Sequence, residues 1–200
     1  PRYRGYAYLS SVAELEPNDP EEAQALSLIR DWDLHTDTAN RNAALGVCIL
    51  LEEWQAERTG NPLPDARETL HTCMASVRNV AGRLDPEWGT AQQHGRGQRT
   101  WPAAGGPDTL RAMYAEQLED EDDFLTVVAG DGLYYLIEWN AEGEQTIRGT
   151  HQYGSQMIDE SSPHYLDQAE SFSQEIMRAP GFYPENRSAT SKRYTVTSAD

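Results

Sequence analysis

Residues Phe124–Thr150, FLTVVAGDGLYYLIEWNAEGEQTIRGT, decide the fold class of this chain. Three runs, FLTVVA, GLYYLIEW and EQTIRGT, are rich in β-branched and aromatic residues. They are parted by G-D and N-A-E-G, two turn signals. The pattern predicts three strands forming a small antiparallel sheet. Helices precede it and one helix follows, so the chain is expected to be α+β.

Working toward the N-terminus, three helices are predicted. Pro20 with Glu21 and Glu22 opens the first, because Pro suits an initial turn and acids suit the positive end of the dipole. Ala25, Leu28, Ile29 and Trp32 recur on one face of it. Asn40 is expected to cap a second, about Arg41 to Arg58, with Ala44, Val47, Cys48, Leu51 and Trp54 inward. T-G-N-P-L-P breaks the chain, and Asp65 opens a third with Leu70, Cys73, Met74, Val77, Val80 and Ala81 on one face. Residues 1–19 read as irregular or partly helical. The stretch LDPEWGTAQQHGRGQRTWPAAGGPD has little periodicity, and TLRAMYAEQL after it reads as a short helix. Working the other way, Ser161 or Ser162 is expected to cap a last helix, with Pro163 in its first turn, running to about Arg178. The tail holds P-G-F, Y-P-E-N and a possible strand, KRYTVT.

Composition narrows the function classes. The net charge is -17, from 33 acidic and 16 basic residues, of which Lys192 alone is Lys and the rest Arg. Such a field repels nucleic acid and anionic membrane surfaces. The short R-G-Q-R patch at Arg96–Arg99 is expected to pair with local acids. Many acids with almost no Lys is also the balance of a salt-adapted protein. No apolar run reaches the length of a membrane span. The first residue, Pro1, suggests a chain processed or cut from a longer polypeptide. Cys48 and Cys73, the two cysteines, lie on apolar helix faces. Two buried thiols are the favoured expectation, and a disulfide between the helices is the alternative.

The chemistry-bearing residues form no convincing constellation. GTHQYGSQMIDESSPHYLDQAESF, Gly149–Phe172, holds two histidines and four serines, but Ser155 does not sit in a G-x-S-x-G elbow. His151 and His164 are too far apart in sequence to be joined by spacing. His164, Ser161, Ser162, Asp167 and Glu170 are expected at a helix start or on a solvated face. His94, His151, His164 and Asp131 are scattered metal-ligand candidates without a close pair, so no metal is expected. The E-D-E-D-D run, Glu119–Asp123, lacks the alternating frame of a calcium loop. A-A-G-G-P-D, Ala103–Asp108, lacks the Lys of a phosphate cradle, and Asp108 reads as a helix cap. An N-terminal proline amine can act as a base, but nothing beside Pro1 supports that role. No catalytic, cofactor-binding or metal residue is assigned.

Four stretches together resemble a known family. ALSLIRDWDLHTDTANRNAALGVCILLEEW has L-x-x-W-D, a polar loop, and a helix ending in Trp. PEWGTAQQHGRGQRTWPAAGGPDTLRA has W-G, R-G and G-G-P-D-T. VVAGDGLYYLIEWNAEGE has a G-D turn, and YGSQMIDESSPHYLDQAESFS has Y-G and then S-P-H-Y-x-D-Q-x-x-x-F-S. Their order resembles the C-terminal part of the β subunit of penicillin acylases, especially acyl-homoserine lactone and aculeacin-type acylases. It covers about residues 25–178. Ser155 precedes Gln156, where the family usually has Gln then Ser.

The resemblance implies an N-terminal-nucleophile hydrolase with an αββα core. Residues 1–200 would be a single C-terminal segment, mainly helical over 1–85 and loop, strands and helix over 86–200. It implies a periplasmic or secreted precursor that cuts itself, freeing a Ser whose α-amino group serves as base for amide cleavage. Quorum quenching is among the roles this would allow. The expected partners are the α chain, the N-terminal β-chain portion and an acylated amine substrate, without nucleic acid, membrane or cofactor. The catalytic residues would lie upstream of Pro1, leaving this chain a scaffold. Trp32, Trp54, Trp88 and Trp101 would be core or interface anchors, and Asp131, Asp167 and Gln168 turn and network residues. The competing expectations are a non-catalytic acidic domain that binds or assembles, and a serine hydrolase built on Ser155.

Overall fold

In the computed structural model the chain falls into two compact units, residues 1–131 and 132–200. The structure describes residues 6–107, 109–119 and 122–179. Pro1, Asp108, the middle of the E-D-E-D-D run and the P-G-F, Y-P-E-N and KRYTVT segments lie outside them. The fold is mixed α and β with small sheets, compatible with the α+β class.

The first unit is built on four helices, α1 Tyr6–Ala13, α2 Pro20–Arg30, α3 Ala43–Thr59 and α4 Ala66–Ala81. Pro20 begins α2 as its sequence requires, with the Asp19 carboxylate accepting from the Glu21 and Glu22 backbone amides. Asp65 caps α4 in the same way through Arg67 and Glu68. The expected Asn40 cap is corrected. α3 starts at Ala43, and the Asn40 side chain instead accepts from the Asn42 amide in the preceding turn. Leu26, Ile29, Leu45, Ile49, Leu70 and Trp88 are among the side chains buried where the helices meet.

Two linkages tie these helices. Cys48 of α3 and Cys73 of α4 form a disulfide, so the favoured expectation of two thiols is corrected. Their Cα atoms lie 5.7 Å apart, inside the range a bridge spans. The second is the Glu22 carboxylate, 2 % exposed. It accepts from the Asn18 amide at 2.8 Å and meets Arg67 at 2.5 Å and His71 at 2.6 Å. The Asn18 amide first, then His71 and Arg67, lower its pKa from 4.5 to about 2.

The middle of the chain is more ordered than its composition suggests. A short helix, α5 Trp88–Ala91, leads into a hairpin of β1 Gln92–Arg96 and β2 Arg99–Pro102. The TLRAMYAEQL helix is corrected to a strand, β3 Met113–Glu116. The Gly106 amide bonds to the Arg111 carbonyl and the Met113 amide to the Gly106 carbonyl, which hold the segment extended. With β4 Leu125–Gly130 these strands make one sheet of order β2-β1-β4-β3. β4 pairs parallel with β1 and antiparallel with β3.

The second unit contains β5 Leu133–Trp139 and β6 Gln145–His151, an antiparallel pair turned by Asn140–Glu144. The three strands expected from Phe124–Thr150 therefore exist, but not as one antiparallel sheet. β4 is paired within the first unit, and Asp131 of the G-D step bonds back to Ala112 through both its amide and its carboxylate. The last helix is corrected to a single turn and a half, α6 Ala169–Ser173.

Candidate functional site

The S-P-H-Y-x-D-Q block forms a chain of turns. Asp159 accepts from the amide and hydroxyl of Ser161, at 3.0 and 2.6 Å. These bonds hold its carboxyl below the usual range. The Ser162 amide then bonds to the Asp159 carbonyl, the Tyr165 amide to the Ser162 carbonyl, and the Ala169 amide to the Leu166 carbonyl. Each link spans three residues, so the segment closes successive tight turns rather than a helix. The Ser162 hydroxyl accepts from the His164 amide at 3.2 Å. Short polar side chains thus satisfy the backbone locally and compete with the expected helix.

This coil is anchored on Tyr153 and Gly154. The Gln168 amide bonds to the Tyr153 carbonyl at 2.8 Å, and the Gln156 amide to the His164 carbonyl at 3.0 Å. A Cβ on Gly154 would stand 2.0 Å from the His164 carbonyl oxygen. The Y-G pair and the S-P-H-Y-x-D-Q run are therefore two sides of one close contact. Tyr165 and Phe172 carry it inward: both are buried, and Phe172 stacks on Tyr134 of β5 at 5.7 Å.

A cleft of about 470 Å³ opens beside this coil, lined by Leu133, Tyr135, His151, Ser155, Gln168 and Arg178, among others. Ser155 and His151 share the cleft, but no hydrogen bond joins them. The His151 Nδ1 is buried without a hydrogen-bond partner among the described residues. The acid that would orient a base, Asp167, pairs instead with His164, Nδ1 to Oδ2 at 3.0 Å. That pair is largely exposed and lines no part of the cleft. A nucleophile, a base and an orienting acid are present as residue types, yet they are distributed over two separate contacts.

The other two family-like stretches that fall wholly within the first unit meet each other there. Trp32 lies flat on Gly46 of α3, where a Cβ would come 2.1 Å from the indole. Its Nε1 donates to the His35 carbonyl at 2.7 Å. The polar loop that follows offers its carbonyls to the next stretch. The Trp88 amide bonds to the Asn40 carbonyl, the Gly89 amide to that of Thr38, and the Gly105 amide to that of Thr36. The Trp88 indole and the Gln92 amide group both donate to the Gly105 carbonyl. A-A-G-G-P is thus a buried receptor for indole and amide donors, occupied by the protein itself.

The scattered ligand candidates do not gather. Among the described residues, no group of three His, Cys, Asp or Glu side chains is placed to hold a metal ion. His94 is fully buried on β1 and stacked against Trp101 at 5.5 Å. Burial first, then the nearby Arg111 charge, lower its pKa to about 4, so the ring is neutral at physiological pH. In the R-G-Q-R patch, the Arg99 guanidinium lies over the Trp101 ring at 5.3 Å. Trp32 and Trp88 are buried anchors, whereas Trp54 and Trp101 are half-buried.

Sequence reasoning missed a second cleft, of about 670 Å³, in the first unit. Trp54 of α3 and Tyr114 of β3 line it with their rings packed on each other, centroids 5.2 Å apart, and Arg58 stacks on Trp54 at 4.9 Å. The W-x-x-x-R spacing on α3 could have shown the stack, but Tyr114 lies in a stretch with helical composition that forms a strand. Among the described residues, no helix is long and apolar enough to cross a membrane. No family model matches the chain.

Proposed function

We propose that this chain is a scaffold segment of an amide-hydrolysing acylase of the penicillin acylase type. It would work with an upstream polypeptide that supplies the N-terminal Ser nucleophile. The enzyme would release an acyl group from an acylated amine such as an acyl-homoserine lactone or a lipopeptide. The observation carrying this proposal is the S-P-H-Y-x-D-Q block closing on its own Y-G pair through Gly154. The residues that carry the resemblance are engaged in backbone-level joints, the work expected of a scaffold. The Cys48–Cys73 bridge supports an oxidising compartment, in keeping with periplasmic or secreted placement.

The test is expression with the polypeptide encoded upstream. Mass spectrometry should find a mature chain beginning with Ser. The complex should hydrolyse acyl-homoserine lactones or phenylacetyl amides, while residues 1–200 alone should not. Hydrolysis by the isolated chain, abolished by Ser155→Ala, would overturn the scaffold role in favour of a serine hydrolase built on the Ser155 cleft.

A second function, a non-catalytic assembly domain, is favoured by the row Leu133, Tyr135, Ile137 and Trp139. These four alternate along one face of β5 and are 42–64 % exposed. A tight complex formed without any Ser-terminated chain or amidase activity would establish it.

A further inference from the structure

In the second unit, the bonding of β6 decides which edge of β5 is open. The Gly149 amide and carbonyl both bond to Arg178, at 2.8 Å each. Gly149 stands opposite Tyr135 in the β5–β6 register, so that pair exchanges no hydrogen bonds. The Asn140 amide bonds to the Glu144 carbonyl and the Gln152 amide to the Gly132 carbonyl, which sets the same alternation at both ends of the pair. The ladder bonds of β5 therefore come from Tyr134, Leu136 and Glu138. The amides and carbonyls of Leu133, Tyr135, Ile137 and Trp139 point to the other edge, where no strand lies among the described residues. The side chains of the same four residues are exposed. Open edges are usually guarded by Lys, Pro or a bulge, and β5 has none of these. Its one charge, Glu138, is matched by Arg148 of β6 at 2.6 Å. In a chain of net charge -17, this edge is close to neutral.

We infer that the β5 edge pairs with the β5 edge of a second copy of this chain, antiparallel and about a two-fold axis at Leu136. That register sets Leu133 opposite the partner's Trp139 and Tyr135 opposite the partner's Ile137. These are the residues whose amides and carbonyls face the edge, so each such pair exchanges two bonds. All of the seven-residue strand is used, whereas an axis at Tyr135 or Ile137 leaves one end beyond the partner's strand. Glu138 falls opposite the partner's Tyr134 and not opposite a second carboxylate. A basic peptide would find no unmatched acid on this strand, while a second copy brings the same apolar row that this one exposes. The result is a single sheet of order β6-β5-β5-β6 with one continuous apolar stripe. The inference rests on the assembly function above and deepens it by naming the partner and the joint. It does not need the proposed amide hydrolysis.

Sedimentation of the full chain over a range of concentrations tests it. The chain should dimerise reversibly, and more tightly in added potassium chloride because both copies carry the same net charge. Ile137→Pro should abolish the dimer and keep the monomer folded, because the amide it removes points to the open edge and not to β6. Leu136→Cys should cross-link the dimer under mild oxidation. Its two thiols meet at the axis with Cα atoms about 4.5 Å apart, within disulfide range, and Cys48 and Cys73 are already bridged to each other. Glu138→Cys, whose two copies stand roughly 14 Å apart, should not cross-link. A dimer that survives Ile137→Pro, or that cross-links through Glu138→Cys and not Leu136→Cys, would overturn the joint and keep the assembly function, since the apolar faces would then be stacking. A monomer at every concentration would overturn the joint and remove the support that the exposed row gives to assembly. Slow amide exchange at Tyr135 and Ile137 in that monomer would give the edge to the chain's own KRYTVT segment, and slow exchange only in complex with the upstream polypeptide would give it to that polypeptide.

Discussion

At the scale of single residues, Glu22 couples charge to stability. Its carboxyl has an ordinary value of 4.5 and is held at about 2 in the fold. A depressed folded-state pKa contributes stability that is complete above the unfolded value and is lost as pH falls through the folded one. The chain should therefore lose stability between pH 4.5 and about 2 through this group. Glu22→Gln should melt at a lower temperature at pH 7 and show a flatter acid limb, as followed by circular dichroism. The residue was visible in the sequence only as one of two acids at a helix start. Its partners Arg67 and His71 lie on α4, and nothing local in the sequence announces them. Gly154 makes a steric prediction instead. Gly154→Ala drives a methyl into the His164 carbonyl, at a cost of about 1–3 kcal/mol. Amide exchange should then accelerate over residues 153–168 while the first unit keeps its protection.

At the scale of elements, the helices with capping acids and apolar stripes were legible, because local chemistry and packing agree there. α2 and α4 begin where Pro20 and Asp65 place them. The β1–β2 hairpin was not legible, because the inward residues of β1 are Gln92 and His94. A buried strand whose inward side chains are polar shows no hydrophobic alternation. β3 and α6 were misread for opposite reasons. Leu, Ala, Met and Glu favour a helix in isolation, and pairing with β4 overrides that preference. The Ser and Asp side chains before α6 spend their oxygens on turns. The cysteine bridge carries its own prediction. It spans 25 residues between α3 and α4, and closing a loop of that length is worth about 3.5 kcal/mol. Dithiothreitol should lower the melting temperature. A thiol assay should find no free thiol in the native chain and two after reduction.

At the scale of the whole molecule, two properties pull in opposite directions. The net charge of -17 keeps copies apart, while the second unit exposes Leu133, Tyr135, Ile137 and Trp139 in one row. Salt screens the first and leaves the second in place. Added potassium chloride should therefore raise the melting temperature and also promote self-association, visible by light scattering. Ile137→Lys with Trp139→Lys should suppress the association and keep the thermal gain. The class, mixed α and β, was legible from alternating and helical periods. The division of the strands between two units was not, since the G-D step looks like a hairpin turn and instead folds back on Ala112.

The joint between the Trp32 loop and the Trp88 stretch has a consequence for mutational tolerance. It is made of main-chain amides meeting the carbonyls of Thr36, Thr38 and Asn40, groups that every residue type carries. The exposed side chains of His35, Asp37 and Ala39 can change without breaking the joint. Gly46 has no such freedom, because an indole already occupies the space of its missing carbon. In a saturation library scored for folding, His35, Asp37 and Ala39 should accept many replacements, and Gly46 close to none.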